Sequence, residues 1–91
     1  MRPHLKVVVG FGDFEVGDHP HADSLFFNTD AAIIVADETF SWMKTVWLPR
    51  HGEQTARRLG TDNWAVMVRS YDASGTCLET VYLRGNPRYD A

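Results

Sequence analysis

The sequence predicts an α+β fold, a single small domain spanning residues 1–91, built mainly on an antiparallel sheet of about five or six strands with one short helix. Three stretches carry this expectation. His4 to Phe11 sets Leu5, Val7, Val9 and Phe11 on one side of a strand. Trp64 to Leu83, WAVMVRSYDASGTCLETVYL, reads as two β-prone runs joined by a turn. Glu53 to Leu59 has the end signals of a helix: Pro49 upstream, Arg57 and Arg58 in the last turn, and Gly60 just beyond.

After the first strand, Gly10 and Gly12 loosen the backbone before Phe14-Glu15-Val16 resumes an extended run. Gly17 to Ser24, GDHPHADS, lacks apolar periodicity and holds Pro20, so it reads as an exposed loop. Leu25-Phe26-Phe27 opens another apolar segment, Asn28-Thr29-Asp30 reads as a turn, and Ala31 to Ala36 as a short buried strand. Residues 38–48 fit either a strand or a helix capped by Asp37; the content of Thr, Phe, Trp and Val favours the strand. In the hairpin, Asp72-Ala73-Ser74-Gly75 supplies the turn. Pairing Tyr71 with Thr76 then sets Ser70 opposite Cys77, Val68 opposite Glu79, Val66 opposite Val81 and Trp64 opposite Leu83. That register puts Cys77 on an apolar face as a buried thiol. Arg84 to Ala91 reads as a tail.

Composition narrows the function classes. Hydrophobic residues make up 44% of the chain, too many for a disordered one. One cysteine cannot form an internal disulfide, so nothing points to a secreted, stapled scaffold. No run reaches the ~18 apolar residues of a membrane span, and the N-terminal pattern is not that of a signal peptide; the expected compartment is the cytoplasm. Residues 1–40 hold seven acids against two bases, whereas residues 41–91 hold seven bases against five acids. The first half is therefore the acidic one.

Few chemical motifs survive scrutiny. Asp18, His19, His21 and Asp23 bring two imidazoles and two carboxylates within six residues, suitable donors for a divalent cation. Pro20 holds the backbone extended between the two histidines, so a solvated turn is the simpler reading, and no cofactor is expected. Gly10-Phe11-Gly12 is followed by acids and a strand, not by the helix N-terminus a phosphate loop needs. Ser24, Ser41, Ser70 and Ser74 lack nucleophile-elbow surroundings, and nothing joins Cys77 to His51. Arg50, His51, Arg57 and Arg58 could contact nucleic acid, but the net charge of −3 disfavours it.

The reading that remains is a non-enzymatic protein that binds another macromolecule, in the manner of adaptors, antitoxins, immunity proteins or phage-type inhibitors. Its expected contacts are acids of the first half, Asp13, Glu15, Asp18 and Asp23, with the aromatics Trp42 and Trp47. One short helix covers only a patch of sheet, so surplus aromatic surface would dock a partner protein or a second copy of the chain. The alternatives are a metal-dependent or His-based enzyme around GDHPHAD, and nucleic-acid binding through Arg50, Arg57 and Arg58.

Overall fold

Period-two alternation makes β1 (His4–Phe11) the central strand, and the computed structural model, which describes residues 2–12, 14–52 and 64–85, sets it between two antiparallel neighbours. On one side it pairs with β2 (Phe14–Glu15), Phe11 opposite Phe14. On the other it pairs with β3 (Trp64–Tyr71) along its whole length, from His4 opposite Tyr71 to Phe11 opposite Trp64. The hairpin partner β4 (Cys77–Gly85) closes a four-stranded sheet of order β2-β1-β3-β4.

Between β2 and β3 the chain forms a helix where strands are expected. Helix α1 (Thr29–Trp42) continues directly into a π-helical segment, α2 (Met43–Gly52). The two extra predicted strands, at 31–36 and 38–48, therefore do not exist, and the sheet has four strands among the described residues. The reason lies in the buried stripe Ala32, Ala36, Thr39, Met43, Trp47, spaced four, three, four and four residues apart. Alanine and threonine carry little hydrophobic signal, so the stripe is faint, while Ile33, Ile34 and Val35 advertise a strand. The helix penalty of such β-branched residues is below about 0.7 kcal/mol each, and packing overrides it. Asn28 starts the helix rather than a turn: its side chain accepts the Ala31 N–H at 3.0 Å. Thr39 satisfies its buried hydroxyl by donating to the Val35 carbonyl at 2.8 Å.

One layer of helix thus covers one sheet face. Val7, Val9 and Phe11 of β1 and Val66 and Val68 of β3 meet Ala32, Ala36, Met43 and Trp47. Trp42, Phe40 and Trp64 pack half-buried at the margin, Phe40 stacking on Trp64 with ring centroids 4.9 Å apart. Tyr82 ties β4 to the helix by donating to the Asp37 carboxylate at 2.6 Å, and Arg84 reaches the same carboxylate at 3.2 Å.

The hairpin forms where expected but in another register. Tyr71 faces Cys77, Ser70 faces Glu79, Val68 faces Tyr82 and Met67 faces Leu83, with irregularities at two steps. The cause is twofold. The Asp72 carboxylate binds the Ser74 and Thr76 N–H groups at 2.9 and 3.0 Å, so the loop extends through Thr76. Leu78 and Val81 are then extra residues in β4, as in β-bulges. This also corrects Cys77, which is exposed, not buried. The predicted helix at Glu53–Leu59 lies outside the described residues, as do Asp13, Arg57 and Arg58. Among the described residues, no helix is long and apolar enough to cross a membrane.

Candidate functional site

Three of the expected partner-binding residues converge. Glu15 leaves the end of β2, Asp18 follows in the loop, and Trp47 reaches across from α2. With Phe14 and His51 they line an open groove of about 270 Å³. The convergence has a local cause. Trp47 packs on Phe11 with centroids 5.3 Å apart, the residue being 6% exposed, and its Nε1–H donates to Asp18 Oδ1 at 3.2 Å. A buried indole needs such a partner, so the bond also fixes the start of the loop. His51 stacks obliquely on the other side of Trp47 at 5.2 Å.

The groove is acidic at its rim and aromatic at its base. Glu15 is 67% exposed at the side chain and holds Arg69 of β3 at 3.4 Å. The indole occupies one Asp18 oxygen, and a carboxylate has two. Asp23 is exposed farther along the loop and does not line the groove, while Trp42 packs against the core margin. Trp47 is therefore a core residue that shows an edge, not the exposed anchor expected. The helix of residues 29–52 absorbs the aromatic surplus that a short helix would leave. Among the described residues, the large apolar side chains left exposed are instead Leu25, Phe27, Ile34, Leu78 and Val81. Phe27 is capped by the Arg2 guanidinium 3.8 Å from its ring centroid.

The histidine loop is not simply solvated. His19 is buried, 5% exposed, against the outer edge of β1. Its Nδ1 accepts the His21 backbone N–H at 3.3 Å, and the residue lines a small cavity with Val7, Val8 and Val9 of β1. With Nδ1 an acceptor, the proton of the neutral ring sits on Nε2. Burial, followed by the charge of His21, pushes the His19 pKa below its ordinary value. His21 is half-buried near Phe26. Among the described residues, no three His, Cys, Asp or Glu side chains converge as a metal ion would require.

Sequence reasoning singled out Glu15, Asp18 and Trp47, which line the groove, but not Phe14 and His51 beside them, nor the burial of His19 against β1. No local signal marks them, because each depends on where the helix crosses the sheet. The fold and groove define a small α+β domain with a four-stranded antiparallel sheet and an acidic surface cleft. Compared with known proteins, the chain matches no family model, no curated protein and no solved structure.

Proposed function

We propose that this chain is a non-enzymatic protein that acts by binding another protein, receiving a basic segment of that partner in the groove of Glu15, Asp18, Trp47 and His51. The observation that carries the reading is the convergence of two exposed carboxylates over an aromatic base in one open cleft. A guanidinium or ammonium group would meet both carboxylates while its aliphatic stem lay on Phe14 and the Trp47 edge. Each exposed charge pair contributes only about 0.2–1 kcal/mol, so affinity comes from several contacts and from steering by the acidic surface.

The test is a titration of the ¹⁵N-labelled protein with a Lys/Arg-rich peptide, with a Glu-rich peptide as control. The Trp47 indole N–H and the backbone amides of Glu15 and Asp18 should shift with the basic peptide alone. The shifts should weaken as salt rises toward physiological strength, where the screening length is about 8 Å. Shifts confined to other surfaces, or identical in the Glu15→Gln/Asp18→Asn variant, would overturn the proposal.

A further inference from the structure

The outer edge of β1 is closed by three different devices. Phe26 and Leu5 exchange backbone hydrogen bonds at 2.7 and 2.9 Å near one end. The Val16 N–H donates to the Val9 carbonyl at 2.8 Å near the other. Between them no strand of the described residues runs, and the buried His19 lies beside Val7, Val8 and Val9 instead. The loop from Gly17 to Leu25 thus buries one imidazole against that edge. Asp18, one residue earlier, holds the Trp47 indole.

We propose that His19 is a proton-operated latch: protonating its ring releases the loop from the edge of β1 and, through Asp18, loosens the loop's grip on Trp47.

The chemistry follows from the tautomer. A proton added at Nδ1 turns an acceptor into a donor aimed at the His21 N–H, so that bond is lost and two donors face each other. It also places a cation in a buried site, at a cost to the folded state. The groups facing the ring do not cancel this charge. Asp18 and Asp23 on its own loop favour it, and His21 opposes it. Lys6 of β1, Glu15 of β2 and Tyr71 of β3 line the cavity of about 110 Å³ shared with the ring. Of these, Lys6 opposes the imidazolium and Glu15 is already shared with Arg69. The sign is definite: a histidine whose folded pKa is depressed leaves the latch fully closed above its ordinary 6.5, and the latch opens as pH falls through the lowered value.

The experiment is an NMR pH titration of the full chain from pH 8 to 4, with no partner present, so its outcome is independent of what the groove binds. The His19 ring, the His21 amide and the Trp47 indole N–H should shift with one shared midpoint below 6.5. In His19→Gln the neutral amide can still accept from the His21 N–H, so the loop should stay closed and the shared step vanish. His21→Gln should keep the step, which serves if the first variant does not fold. A His19 midpoint at or above 6.5 overturns the latch. So does an indole that moves only in the carboxylate range near pH 4, or a step that persists in His19→Gln.

Discussion

Lysine substituted at Ala36 and at Ile34 distinguishes the helix from the strand that the local sequence suggests. The two positions are two residues apart. In a strand they would share a face and respond alike; in a helix they point to opposite sides. Ala36 is fully buried against the sheet, whereas Ile34 is 59% exposed. Ala36→Lys drives a charged side chain into the interface with Val7, Val9 and Val66, where it has no partner, and should cost about 3 kcal/mol or more. Ile34→Lys should fall within about 0.5 kcal/mol of the parent, since lysine is a good helix former and the site is solvated. Ala36→Leu gives an intermediate case, about 1–3 kcal/mol of overpacking with almost no change in propensity. Against the 5–15 kcal/mol stability usual for a domain, the first loss is large, and at roughly 4–8 °C per kcal/mol it lowers Tm by 12 °C or more. Urea unfolding followed by tryptophan fluorescence measures all three. Lysine variants that differ by less than about 1 kcal/mol would refute the helical face assigned to residues 29–42.

Other expectations are as direct. Gly75→Ala meets open space at φ +88 and should lose about 1 kcal/mol, whereas Gly85→Ala at φ +131 also sets its Cβ 2.7 Å from the Trp64 carbonyl oxygen and should lose more, read as lower amide protection at Ala65. Tyr82→Phe removes the hydroxyl bonded to Asp37 and should cost about 1 kcal/mol in the same unfolding assay. Hydrogen bonds from Ser74, then Thr76, hold the Asp72 carboxyl below its ordinary 3.8, so its support of the turn is complete above that pH and lost as pH falls through the lowered value; a carboxyl titration midpoint at or above 3.8 would contradict this. Cys77→Ser should leave stability within about 0.5 kcal/mol, because the thiol is exposed.

What the sequence discloses depends on how far each signal reaches. β1 was legible to its end residues because alternation is a local property, and Phe14-Glu15 and the Asp72 turn were legible for the same reason. The hairpin register was not, since Leu78 and Val81 gain their place from bulges that no alternation announces. The helix was hidden because its buried face is Ala32, Ala36 and Thr39, small residues chosen for close approach to the sheet, while its exposed Ile34 looks like core. The groove was half legible. Acidity drew attention to Glu15 and Asp18, but only the Asp18–Trp47 bond, between residues far apart in sequence, brings the indole to them.

The strand order bears on how the chain is made. β1 is the earliest of the strands to leave the ribosome, yet it waits for β3 before its long pairing can begin, from Phe11 with Trp64 to His4 with Tyr71. Until the helix of residues 29–52 and then β3 emerge, Val7, Val9 and Phe11 form an apolar row with only β2 and the following loop beside it. Closing such distant partners is slow, so the nascent chain spends longest in its most adhesive form. A holdase chaperone that recognises extended apolar segments would find its binding site in the first dozen residues, and would lose it once Tyr71 had emerged.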